Sequence, residues 1–106
     1  MTIDRSKPHK IDAADFPRLS EFARGYLHQD LIPEYGSVLN AALAYLDDLS
    51  DRERQQAAAE AFRFRAVTRE WHNAEVNSAI ATLGGSWSFV AKGELQEVLH
   101  TLERGH

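Results

Sequence analysis

The segment Tyr26-Leu27-His28-Gln29-Asp30-Leu31-Ile32-Pro33-Glu34-Tyr35-Gly36 gathers a histidine, an amide, two carboxylates and two phenols within eleven residues. That density suits a buried hydrogen-bond network or a site. Histidine is the side chain suited to acid–base work near neutral pH. A carboxylate two residues away, here Asp30, can fix its tautomer and raise its basicity. A nucleophile to accompany His28 is missing, however: the chain has no cysteine, and no serine sits in a Gly-x-Ser-x-Gly elbow. The structural use of the same residues is a loop tied down by buried hydrogen bonds from His28, Gln29 and Asp30 to backbone groups.

Metal and nucleotide chemistry find little support. The five histidines, His9, His28, His72, His100 and His106, are scattered, and no pair has the spacing of helical metal ligands. No metal or other cofactor is expected. There is no Gly-x-Gly-x-x-Gly or P-loop pattern, and Gly84-Gly85 reads as a helix stop rather than a phosphate loop.

The elements that must position these residues are helical. At 106 residues, 43% apolar and 26% charged, the chain has the size and composition of one globular domain. Residues 1–14 read as a loosely ordered arm and 15–106 as a single domain. Asp15 is placed to cap a first helix with Pro17 in its opening turn and Leu19, Phe22, Ala23 and Tyr26 on one face. Ser37 caps a second, striped by Leu39, Ala42, Leu43 and Leu46 with Val38 and Tyr45 beside them. Ser50-Asp51-Arg52-Glu53 is a capping box opening a third, whose inner line is Ala58, Ala61, Phe62 and Arg65. Thr68 offers a restart toward Trp71, Val76, Ile80 and Leu83, and the sequence leaves open whether the third and fourth helices are one rod. Residues 86–90 read as a short extended connector, and Leu95, Val98, Leu99 and Leu102 stripe the last helix. The expectation is an all-α bundle of about five helices.

Charge narrows the partners. The net charge of −4 argues against nucleic acid, which requires a basic surface. No apolar run reaches the roughly 20 residues needed to cross a bilayer, and residues 1–10 do not have the form of a signal peptide. With no cysteine, a reducing cytoplasm is the expected location. Between His28 and Glu60 stand seven carboxylates (Asp30, Glu34, Asp47, Asp48, Asp51, Glu53 and Glu60) against Arg52 and Arg54. Such a stretch is either a solvated helix surface or a face that steers a basic partner.

Read together, Phe16-Pro17-x-Leu19, Phe22, Tyr26-x-His28-Gln29-Asp30 and Glu34-Tyr35-Gly36 resemble the immunity proteins of bacterial contact-dependent growth inhibition systems. The likeness spans Phe16 to about Leu49. Leu31-Ile32-Pro33 follows the aspartate where the family often carries an aromatic residue. The resemblance implies a non-enzymatic protein that blocks a cognate toxin domain inside the cell. It also implies that the shared residues Tyr26, His28, Gln29, Asp30, Glu34, Tyr35 and Gly36 are scaffold, and that toxin contacts fall on exposed positions such as Asp47, Asp48, Asp51 and Glu53.

Two other classes stay open on the residues alone. One is a small ligand-binding protein or enzyme using the His28–Glu34 segment, which needs a concave pocket around those groups. The other is a generic helical interaction module, which needs Trp71 and Trp87 in one exposed patch.

Overall fold

The chain enters its core at Ile11, which is buried, and Asp12 then caps a 3-10 turn at Ala13–Asp15 by accepting from the Ala14 amide at 2.9 Å. The structure is a computed structural model that describes residues 11–87, 89 and 92–105, the side chain of residue 92 excepted. Of the arm expected over 1–14, residues 1–10 lie outside the described residues, as do His9 and His106; residues 11–14 belong to the packed domain.

Six helices follow: α1 (Pro17–Tyr26), α2 (Leu31–Tyr35), α3 (Val38–Asp47), α4 (Asp51–Val67), α5 (Asn73–Leu83) and α6 (Lys92–Arg104). The expected five-helix bundle is α1, α3, α4, α5 and α6, with α2 a single extra turn inside the segment expected to be loop. No strand occurs among the described residues. The main pairing is α4 against α6. Helix α6 also lies on α3, while α1 is wedged among α3, α4 and α5. Among the described residues, no helix is long and apolar enough to cross a membrane.

Helix α1 starts differently from the sequence expectation. Asp15 does not cap it. Phe16 occupies the N-cap position and turns its ring into the core, edge-on to Phe64 at 5.6 Å, so it offers no side-chain acceptor. Pro17 has no amide hydrogen, which leaves the Arg18 and Leu19 amides to be satisfied. Both donate to Glu60 Oε1 on α4, at 2.7 and 2.9 Å. A helix start is thus capped by a carboxylate more than forty residues away. The Glu60 side chain is buried in the process. Desolvation pushes its carboxyl above the usual carboxylate range, against the opposing pull of those two amides.

Two inner faces also lie elsewhere than expected. On α3 the core takes Val38, Ala41, Ala42, Tyr45 and Leu46, and leaves Leu39 and Leu43 exposed. On α4 the buried line is Ala57, Glu60, Ala61 and Phe64 rather than Ala58, Ala61, Phe62 and Arg65. Phe62 is 57% exposed. The Arg65 guanidinium stands 5.8 Å from its ring and pairs with Glu103 of α6 through bonds of 2.6 and 3.0 Å.

The expected caps are present at Ser37, whose hydroxyl accepts from the Asn40 amide, and at the Ser50–Glu53 capping box. Thr68 is not a restart. It ends α4, its hydroxyl donating to the Phe64 carbonyl at 2.8 Å, so α4 and α5 are separate helices. Trp71 is buried in the link between them, and Glu75 accepts from the His72 amide to open α5. Val76, Ile80 and Leu83 face inward as expected. Gly84 ends α5 at φ 109°. A side chain there would be strained, and its Cβ would lie 2.3 Å from Arg24 Cγ.

The connector to α6 is fastened at two places. Ser86 and Trp87 amides donate to the Leu27 carbonyl at 2.8 and 3.1 Å. Further on, Asn77 of α5 both accepts from the Phe89 amide (2.8 Å) and donates to the Phe89 carbonyl (2.9 Å), while Asn73 donates to that carbonyl at 3.0 Å. Residues 88 and 90 of the expected connector lie outside the described residues. Phe89 is thereby held in the core, and α6 buries Leu95, Val98, Leu99 and Leu102 as its stripe predicts. Burying each such large side chain contributes roughly 1.5–3 kcal/mol.

Candidate functional site

The candidate segment crosses from the end of α1 through α2 to α3, and aromatic rings hold it together. Tyr26 lies 5.8 Å from Phe22, 5.4 Å from Tyr45 and 5.5 Å from Tyr35, centroid to centroid. Tyr45 sits beneath, buried, with its hydroxyl 2.8 Å from both the Arg18 carbonyl and Glu21 Oε1, so its single proton is shared between them. The Tyr26 hydroxyl donates to Asp48 Oδ2 at 2.7 Å. Burial first, and then the neighbouring carboxylate, raises both phenols well above the usual tyrosine range. They remain donors at any physiological pH and are unsuited to general-base work.

His28 is engaged at both ring nitrogens. Nδ1 accepts from the Asp30 amide at 3.2 Å, which puts the proton on Nε2 facing the Gly25 carbonyl at 3.1 Å. Glu34 Oε1 is 3.6 Å from Nε2. The ring therefore bridges the end of α1 to the start of α2, a structural task. Both bonds lie near the surface, and the Gln29 and Asp30 side chains are exposed. The buried network expected of His28, Gln29 and Asp30 is thus a surface tie made by His28 alone. What is buried here is Leu31. Gly36 turns the chain into α3 at φ 85°, and Asn40 donates to the Tyr35 carbonyl at 2.9 Å to close the turn. His28→Ala is expected to lower stability by about 1 kcal/mol, the worth of such partly exposed bonds, measured by urea unfolding. An unchanged midpoint would remove the tie.

The four acidic positions separate into different jobs. Asp48 holds Tyr26, which joins the motif segment to the acidic turn after α3. Glu53 completes the capping box and lies 3.6 Å from Arg18, and its carboxyl is held below the usual range by the Ser50 backbone and hydroxyl. Asp51, its side chain 98% exposed, is 3.9 Å from Arg54. Asp47 is exposed. With Glu60 buried under α1, the exposed carboxylates of the acidic stretch are Asp30, Glu34, Asp47, Asp48 and Asp51.

A groove opens beside this acidic turn. Leu43, Ala44, Leu46 and Asp47 of α3, Arg54 of α4 and Gly105 after α6 line this open surface depression of about 320 Å³. Arg54 is already engaged there, its Nε donating to the Leu46 carbonyl at 2.9 Å. A gap of about 10 Å³ in the core, walled by Phe22, Phe64, Leu83 and Leu99 among others, is too small and too apolar to hold a ligand. Among the described residues, no three histidine or acidic side chains converge on a common point.

Reasoning from sequence missed Glu60 as a cap, Tyr45 and Arg18 as the support under the segment, and Asn77 as the clamp on the connector. Only Asn77 carried a local signal, since an amide at an inward position of an apolar helix must find polar partners. Comparison with protein-family models, with curated proteins and with solved structures gave no match.

Proposed function

We propose that this chain is a bacterial immunity protein that binds and neutralises a cognate contact-dependent growth inhibition toxin domain, without catalysis, in the cytoplasm. The observation that carries the reading is the Tyr26–Asp48 hydrogen bond. It links the segment that resembles the family to the acidic turn after α3, so the shared residues brace a surface instead of lining a reaction site. Exposed acidic positions on a braced surface, Asp47, Asp48 and Asp51, suit a protein whose task is to recognise one basic partner. The engagement of both His28 nitrogens by backbone favours scaffold over acid–base use. The interaction-module reading needs an exposed tryptophan patch, yet Trp71 is buried and Trp87 partly so.

The test is calorimetry of the purified protein against the toxin domain encoded beside it, at two salt concentrations. Nanomolar binding, about −12 kcal/mol, that weakens as salt rises is the expected result. Absence of heat at micromolar concentrations of both proteins removes the reading.

A further inference from the structure

Helix α4 is covered on one side, where Ala57, Glu60, Ala61 and Phe64 are buried and α1 and α6 are its main neighbours. The opposite side runs outward through Asp51, Gln55, Ala59, Phe62 and Ala66, all exposed, with Ala58 half-buried beside them. Phe62 projects from the middle of that line, 57% exposed. One turn before it the surface is hollow instead. Asp51, Gln55 and Ala58 of α4, with Glu103 and Arg104 of α6, line an open depression of about 300 Å³. Carboxylates and guanidiniums line it alike, so it does not select a charge. The Ala58 methyl group and the flat faces of Arg54 and Arg104 suit a neutral aromatic ring.

We propose that the ring filling this depression is Phe62 of a second copy of the chain, in a two-fold dimer built on antiparallel α4 helices. A projection and a hollow one turn apart on one helix are self-complementary when the two copies run in opposite directions. The two-fold then sets each Phe62 over Ala58 of the other copy. The same register brings Gln55 opposite Arg65, and Asp51 to the end that carries Arg69. The Asp51 side chain is 98% exposed and Arg69 is exposed, so opposite charges meet at both ends of the contact. The helix dipoles are opposed as well. A parallel pairing would set Asp51 against Asp51 and leave both depressions empty. Ala58, Ala59 and Ala66 are small enough for the axes to approach to about 8 Å. One helix per copy, with the end of α6, makes a contact below about 1,200 Å² in total, the size of a weak and reversible association.

The experiment is sedimentation equilibrium of the purified protein from micromolar to millimolar concentration, with Phe62→Ser, Ala58→Glu and Leu43→Ser alongside. Melting temperatures confirm that each variant is folded. The wild type should pass from monomer to dimer across that range. Phe62→Ser removes the ring and Ala58→Glu fills its seat, and each should raise the dimer Kd by about tenfold or more. Leu43→Ser removes an exposed apolar side chain from α3 instead and should leave the dimer unchanged. The register is read separately, since the chain has no cysteine and a single introduced thiol reports alone. In the antiparallel pair the two copies of residue 59 are offset by only about 3 Å along the axis, and those of residue 55 by about 15 Å. Ala59→Cys should therefore form an intermolecular disulfide under mild oxidation, and Gln55→Cys should not. A wild type that stays monomeric at the highest concentration, or a dimer that persists in Phe62→Ser, overturns the proposal. Cross-linking of Gln55→Cys as readily as Ala59→Cys overturns the antiparallel register, and with it the seat for Phe62.

Discussion

Glu60→Ala is expected to lower the unfolding free energy by roughly 2–4 kcal/mol and the melting temperature by roughly 10–20 °C. The wild-type carboxylate accepts from the Arg18 and Leu19 amides and is the side-chain cap that α1 receives. Removing it leaves two amide donors without a partner at a buried helix start, and creates a space between α1 and α4. An ordinary cap deletion costs about 0.5–2 kcal/mol, and burial adds to that. Glu60→Gln keeps an acceptor oxygen and should recover at least half of the loss. Equal destabilisation by the two substitutions would show that the negative charge, rather than an acceptor oxygen or side-chain volume, is what matters at this position.

The same residue gives a pH signature with a defined sign. Desolvation raises the Glu60 carboxyl in the folded state, so between the ordinary carboxylate pKa and the raised value the native protein binds more protons than the unfolded chain. Stability from this group therefore falls as pH rises through that window. The wild type should lose part of its advantage over Glu60→Gln across the window, read from urea unfolding in steps from acid to neutral pH. A gap that widens with pH would mean that the amides and the arginines, rather than burial, dominate the carboxyl. Glu103 acts in the opposite sense. Its bonds to Arg65 hold it below the usual range, and its contribution is lost as pH falls.

The helices whose signals are local were legible in the sequence. Ser37 and the Ser50–Glu53 box act through hydrogen bonds within four residues, and the leucine and valine stripe of α6 is flanked by charge on both sides. Faces decided by neighbours were not legible. Helix α3 reads Val-Leu-Asn-Ala-Ala-Leu-Ala-Tyr-Leu-Asp, apolar nearly all round, so periodicity could not say that Tyr45 would be inside and Leu43 outside. Helix α4 has a correct stripe, Ala57, Glu60, Ala61 and Phe64, but the glutamate disguised it. A charged residue counts as outward in any hydrophobic pattern, and only the uncapped start of α1 explains its burial. The candidate site follows the same rule. The tie between His28 and its neighbours is sequence-local, whereas the Tyr26–Asp48 bond and the groove beside Asp47 exist only once α1, α3 and α6 have packed.

Asn77→Ala is expected to cost about 2 kcal/mol and to release the connector before the rest of the domain. The amide of Asn77 meets the Phe89 amide and carbonyl together, as a neighbouring strand would, and so gives Phe89, which lies outside any helix, its backbone partners. Asn73 keeps one bond to the carbonyl in the variant, but the Phe89 amide is left with nothing in its place. Because Phe89 is buried at this point of the chain, loosening its backbone also loosens its ring and the entry to α6. Amide hydrogen exchange is the direct measurement: the Phe89 amide should exchange far faster in Asn77→Ala, while amides in the middle of α4 change only with global stability. Asn77→Asp separates clamp from packing. It preserves the shape and still accepts from the amide, but sets a carboxylate oxygen against the Phe89 carbonyl, so it should be at least as damaging as alanine. A tolerated aspartate, or a Phe89 amide as protected in Asn77→Ala as in the wild type, would mean that the ring in the core holds the connector and the side-chain amide does not.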